Sequence, residues 1–196
     1  MSKAFYIQDY CEISGGAIRL NGETVFSAGA AQFTDFAKMA YQHFGLAYPK
    51  FFKMDKLSKL AFLAASQVLT EEKNTALVFA NRSSSLDTDL VYQRSIDDKE
   101  AYYPSPAVFV YTLPNICLGE ISIKYKLYSE NSFFVFENFP AAFFPVYADS
   151  LIRTGKADDV LCGWVEMLDE SYRALVYRVG SEGLTEHNEQ NLNKLI

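Results

Sequence analysis

The stretch Lys53–Ala80, KMDKLSKLAFLAASQVLTEEKNTALVFA, decides the fold class. Met54, Leu57, Leu60, Ala61, Ala64, Ala65 and Val68 recur at spacings of three and four, the period of a helix with a buried face. Phe62, Leu63 and Leu69 widen that stripe, so the helix meets apolar neighbours on more than one side. Thr75–Ala80 follows as a short apolar run of strand character. A helix that greasy, feeding a strand that apolar, predicts an α/β layered fold.

Working outward, Ala4–Ile13 reads as a strand, and the glycine-rich segment 15–31 as turns or a hairpin. Thr34–Phe44 has helical spacing and Pro49 interrupts it. Downstream, Asn81–Ser85 and Asp97–Pro106 read as loops, and Val108–Thr112 as apolar and β-prone. Pro114 suits the first turn of a helix running through Leu127. Ser132–Phe136 reads as an aromatic strand, followed by a helix ending near Gly155. Val160–Cys162 and Ala174–Val179 are two further strands, and the polar tail from Glu182 has room for a short helix. The expectation is a mixed sheet with helices on its faces, in a single domain spanning residues 1–196.

Composition excludes some functions. The formal net charge of −6 disfavours nucleic acid, whose binders carry clustered positive charge. Cys11, Cys117 and Cys162 follow no metal-ligand spacing and cannot all pair, which fits a reducing, cytoplasmic compartment. No metal or cofactor is expected. The greasiest stretch, Ser132–Tyr147, is broken by Glu137, Asn138 and two prolines, so no membrane span is expected.

Several motifs occur together and in order. They are Lys53-Met54-Asp55-Lys56, then Thr112-Leu113-Pro114-Asn115 with Gly119, then Tyr125-Lys126-Leu127, and finally Gly155-Lys156-Ala157-Asp158-Asp159-Val160-Leu161-Cys162-Gly163. This set resembles the β-ketoacyl synthase family, in which the corresponding segments are "RMDR", "TxPN", "Y-x-L" and "GDADVMLAGG". The resemblance implies a thiolase-like fold and only its N-terminal half, without the half that carries the family's catalytic histidines. His43 and His187 have no matching motif and read as surface or helix-flanking residues. Aligned without a gap from Ser129 to Gly155, the family's nucleophilic cysteine falls on Asn138, which has no thiolate to offer. In the family that cysteine sits at the N-terminus of a buried helix. Here Pro145 should kink the helix or delay its start. Cys117, Cys162 and Ser132 are poor substitutes, two as small buried hydrophobes and one without a nearby histidine.

The resemblance implies a non-catalytic accessory or chain-length-factor-like subunit in fatty acid, aryl polyene or polyketide assembly. Its partners would be an identical copy or a catalytic ketosynthase. The aromatic strand Phe133, Phe134, Val135 and Phe136 has two open readings, a partner interface or plain core. Lys50, Lys53, Lys56 and Lys59 form a basic strip that could dock an acidic acyl carrier protein, or a solvated helix face. Asn81–Ser85 suits a phosphate contact or a turn equally. Two other functions stay open: an acyltransferase or thioesterase-type enzyme using a different nucleophile, and an acyl-carrier binding module. At about 25 cal/mol per Å² of apolar surface, the stripe beginning at Met54 would also require something to cover it.

Overall fold

A computed structural model describes residues 4–29, 32–69, 74–97, 99–100 and 102–196. One mixed sheet carries the strands β1 (Tyr6–Ser14), β2 (Ala17–Leu20), β3 (Glu23–Ser27), β4 (Thr75–Asn81), β5 (Asn131–Val135), β6 (Asp159–Leu168) and β7 (Ser171–Gly180) in the order β3-β2-β1-β7-β6-β4-β5. The short β8 (Thr185–Glu186) pairs with β1 beyond the end of β2. β4 runs parallel to both β5 and β6, whereas β6 and β7 form a long antiparallel hairpin. Helices α1 (Phe33–His43), α2 (Lys56–Ala65) and α5 (Ile116–Tyr125) cover one face of the sheet, and α6 (Phe143–Arg153) and α7 (Glu189–Leu192) cover the other. The remaining helices, α3 (Leu86–Arg94) and α4 (Pro106–Val110), stack beside the start of α2.

The central strands alternate between these two cores. Leu77 and Phe79 of β4 point to the α2 side, and Ala76, Val78 and Ala80 to the α6 side. In β1 the alternation changes phase, with Ile7 on the α6 side and Cys11 and Ile13 on the α2 side. A bulge between Ile7 and Asp9 supplies the extra residue that flips it.

Helix α2 is buried almost all round. Leu57, Leu60, Phe62 and Leu63 are each at most 3% exposed, packed against α1, α5 and the β6–β7 hairpin. The stripe from Met54, for which the sequence left the cover open, needs no second subunit. The chain's own sheet and helices cover it. Asp55 caps α2, accepting the Ser58 N–H at 2.9 Å, and its second oxygen accepts the Thr88 hydroxyl at 2.8 Å.

Local chemistry explains the other departures. Val108–Thr112 is helix and turn rather than strand, because Ser105 caps α4 by accepting the Val108 N–H and Pro106 occupies its first turn. These signals outweigh the β-branched valines. The helix after β5 starts only at Phe143, so Pro145 lies in its first turn, where no intrahelical donor is lost. Gly155, at φ +71°, closes α6 with its N–H on the Ile152 carbonyl and the Lys156 N–H on that of Leu151. The strands expected at Val160–Cys162 and Ala174–Val179 are the inner parts of ten-residue strands.

Gly163 of β6 faces Phe79 of β4 in register, and a Cβ there would lie 2.9 Å from the Phe79 ring. Gly163→Val should lower stability by about 1–3 kcal/mol in urea unfolding. Adding Phe79→Leu should recover part of that loss, and strict additivity would refute the contact. A second outcome concerns Asp55, whose carboxyl is pushed up by burial, against the opposing Ser58 and Thr88 bonds. A raised folded pKa gives stability that is full below the usual carboxylate range and is lost as pH rises through the raised value. Asp55→Asn keeps an acceptor for Ser58 without the charge. Its urea midpoint should therefore gain on the native protein's between pH ~4 and ~7. A constant difference across that range would contradict the burial effect.

Candidate functional site

β5 is an edge strand. It pairs with β4 along one side, and no strand among the described residues pairs with the other. Phe133 packs toward the α2 side, while Phe134 and Phe136 pack toward α6. The Phe134 ring lies 4.9 Å from Phe143 and 5.3 Å from Tyr147, and Phe136 lies 5.0 Å from Phe143. The rings are packed on the chain's own helices, but the backbone edge is open and Val135 is 55% exposed. The edge sequence, Asn131 to Val135, carries neither charge nor proline, the usual guards against pairing.

Beyond β5 the chain turns through Glu137 and Asn138, both exposed. Asn138 lies five residues before Phe143, the first residue of α6. Pro140 lies between them, and its carbonyl accepts the N–H groups of Phe143 and Phe144. The first two N–H groups of α6 are thus taken up by the chain itself, at Pro140. Asn138 borders a cavity of about 420 Å³, shared with Arg82, Phe139, Trp164 and Glu166. The Phe139 and Trp164 rings meet edge to face at 5.9 Å. The Arg82 backbone N–H donates to Glu166, so a carboxylate already occupies the Asn81–Ser85 turn where a phosphate contact was considered. That turn is held from within, with Asn81 bonding both the N–H and the carbonyl of Ser84 at 2.8 Å.

The three cysteines are all buried, and burial pushes each thiol well up, away from the reactive thiolate. Cys117 points its sulfur at the Pro114 carbonyl, 3.1 Å away. The Ser132 hydroxyl lies 3.2 Å from the Tyr147 hydroxyl, which donates to Glu130. The carboxylate behind that hydroxyl pair is itself held by Lys156 at 2.9 Å. His43 is exposed, against the Phe26 and Phe44 rings. His187 corrects the surface reading, because its side chain is completely enclosed. Its Nε2 lies 3.3 Å from the Tyr177 hydroxyl and its Nδ1 3.6 Å from Asp149, so it joins the C-terminal segment to β7 and α6. Neither histidine lines the cavity beside Asn138.

The lysines do not form one strip. Lys50 and Lys53 sit on a 3-10 turn, Pro49–Lys53, and the other two on or at the start of α2. Lys50 pairs with Glu120 at 2.9 Å, and that carboxylate, 3% exposed, also accepts the hydroxyls of Tyr111 and Tyr48. Lys56 donates to the Asp169 carbonyl at 2.9 Å and meets Glu170 at 3.2 Å. Lys59 is half-buried and lines a second cavity, of about 250 Å³. The periodicity placed these residues correctly in sequence, but the helix start between them sends their charges in different directions. The buried Glu120 was the residue missed; it sits one turn beyond Cys117 on an otherwise apolar helix face, a signal visible in the sequence.

Among the described residues no His, Cys, Asp and Glu cluster could hold a metal ion, and no helix is long and apolar enough to cross a membrane. No protein-family model matches the sequence, and no match is found among curated proteins. Solved structures do match. The ishigamide ketosynthase/chain length factor superimposes with a TM-score of 0.66 at 15% identity, over 90% of this chain and 62% of that one. The type II polyketide synthase complex AntDE:AntF, a ketosynthase with its acyl-carrier protein, gives 0.62 at 13%, over 99% and 65%. The ketosynthase ApeO with its chain length factor ApeC, from Xenorhabdus doucetiae, gives 0.61 at 14%, over 92% and 80%. The chain spans less than two thirds of the first and second of these. At such identities the likeness establishes the fold: this chain folds as a single thiolase-like half of the kind found in ketosynthases and chain length factors.

Proposed function

We propose that this chain is a non-catalytic, β-ketoacyl-synthase-like subunit that associates with a catalytic ketosynthase, as a chain length factor does, in fatty acid, aryl polyene or polyketide assembly. The observation that carries the reading is the turn at Asn138. The position aligned with the family's nucleophile holds an amide side chain, exposed and five residues short of α6. The buried, unreactive thiols of Cys11, Cys117 and Cys162 offer no replacement. Condensation through an acyl-thioester intermediate has no starting atom here.

The free edge of β5 supports a partner. An unpaired row of N–H and carbonyl groups beside an exposed valine is a template for a strand from another subunit. An acidic carrier protein would meet Lys53 on this chain, since Lys50 and Lys56 are already paired. The solved neighbours include ketosynthases with a chain length factor and with a carrier protein, which favours both kinds of contact.

Incubation with an acyl-carrier-protein thioester or cerulenin, followed by intact-mass analysis, should leave the protein without an acyl or inhibitor adduct. A stable acyl adduct would overturn the non-catalytic reading and favour an enzyme with another nucleophile. Association is the second measurement, by size exclusion of the chain alone and with candidate ketosynthases. Val135→Lys places a charge on the open edge at an exposed position and should weaken the complex by about tenfold or more, with the fold intact. A monomer with every partner, or a complex indifferent to Val135→Lys, would refute the edge as the interface.

A further inference from the structure

The 250 Å³ cavity lies between the start of α2, α3 and α4 and shares no lining residue with the cavity beside Asn138. Met54, Val91, Ala107 and Val108 give it apolar walls. Its polar groups divide into two sets. In the first set every group is engaged by the chain itself. Asp55 gives its oxygens to the Ser58 N–H and the Thr88 hydroxyl, and Asp87 accepts the Asp169 N–H at 2.7 Å. Lys56 is held by the Asp169 carbonyl and Glu170, and the Tyr111 hydroxyl by Glu120. The second set is Lys53, exposed, and Lys59, half-buried. Neither has a salt bridge or a hydrogen bond among the described residues. Two free ammonium groups thus border a pocket whose walls are apolar and whose carboxylates are already taken.

We propose that this cavity binds a free, short-chain aliphatic carboxylate, with its chain between Met54, Val91 and Val108 and its head group on Lys59 and Lys53. A half-buried ammonium without a partner is unfavourable, and a carboxylate supplies the charge-assisted bond that it lacks. Asp55 and Asp87 do not compete for the lysines, because the Ser58, Thr88 and Asp169 donors hold them. At about 250 Å³ the cavity is smaller than the ~300–1,000 Å³ of pockets for drug-sized ligands, so it suits a chain of modest length. Binding is non-covalent and leaves no adduct. It is independent of the subunit role, which rests on Asn138 and the β5 edge.

The test is isothermal titration of the intact protein with butanoate, hexanoate and octanoate at neutral pH. Affinity should rise about two- to fourfold per added CH₂, as apolar walls require. Octanamide, with a similar chain and no charge, should bind about tenfold more weakly than octanoate. Lys59→Gln should lower octanoate affinity about tenfold, and Lys53→Gln, at an exposed position, about two- to threefold. Ala107→Phe fills the cavity from an exposed position and should remove binding at the native urea midpoint. No binding of octanoate, a flat chain series or equal affinity for octanamide would overturn the proposal. So would a folded Lys59→Gln protein that binds octanoate as the native chain does, because the carboxylate would then sit elsewhere. If Lys59→Gln fails to fold, Ala107→Phe decides, and octanoate binding that survives it at native strength overturns the proposal.

Discussion

Helix α2 fixes its surroundings because it has little surface to leave in water. Leu57, Leu60, Phe62 and Leu63 project in different directions and are all buried, so the sheet, α1 and α5 must each take one side. Each such side chain is worth about 1.5–3 kcal/mol when removed from water, and displacing any neighbour would forfeit several at once. Polar contacts then set the ends. Asp55 ties the first turn of α2 to Thr88 of α3. Lys56 reaches Asp169 and Glu170 at the β6–β7 turn, and Glu170 accepts the Phe33 N–H at the start of α1 at 3.0 Å. The Phe33 N–H and Lys56 together hold the Glu170 carboxyl below its usual range. One helix thus locates two others and the hairpin.

The parts of this fold that were legible in sequence are those whose local pattern agrees with their packing. The apolar period of α2, the run Thr75–Ala80 and the glycine after α6 each state in sequence what the structure does. The unreadable parts depend on distant residues. β6 continues through Gly163 and Glu166, which look like breaks until Phe79 fills the space over the glycine and Arg82 donates to the glutamate. Helix α3 is half exposed, with Leu86, Leu90 and Val91 all more than 40% open, so it has little periodic signal. Its anchor is Thr88 on Asp55, a contact that no local window contains.

At the candidate site, order along the chain was legible and surroundings were not. The alignment that put Asn138 after an aromatic strand and before a helix describes the topology correctly, since β5, the turn and α6 follow in that order. It could not show the length of the gap between Asn138 and Phe143, although Pro145 pointed to a delayed helix start and the start is delayed. Nor could spacing place His187, whose polar neighbourhood in sequence is exposed while its own ring fills the space beside Tyr177. The lysine spacing suggested one helix face, but a 3-10 turn precedes α2, and the two geometries rotate successive lysines differently.

These constraints also narrow where association can matter. Since α2 is satisfied within the chain, apolar area near Met54 provides no drive for a partner. Among the described residues the fold also leaves a directional feature open: the outer hydrogen-bonding edge of β5, beside which α5 packs on one face and α6 on the other. The Phe136 N–H bonds back to the Asn81 carbonyl at 2.9 Å, so the strand's end is pinned to β4. A catalytic cysteine after such a strand would need the helix to begin beside it, bringing backbone donors to the sulfur. Here those residues form a proline-containing turn, and in the proposed reading neither that electrostatic support nor a thiol is present. The edge needs neither of them. In the proposed reading the strand therefore acts through its edge, and no chemistry is asked of Asn138.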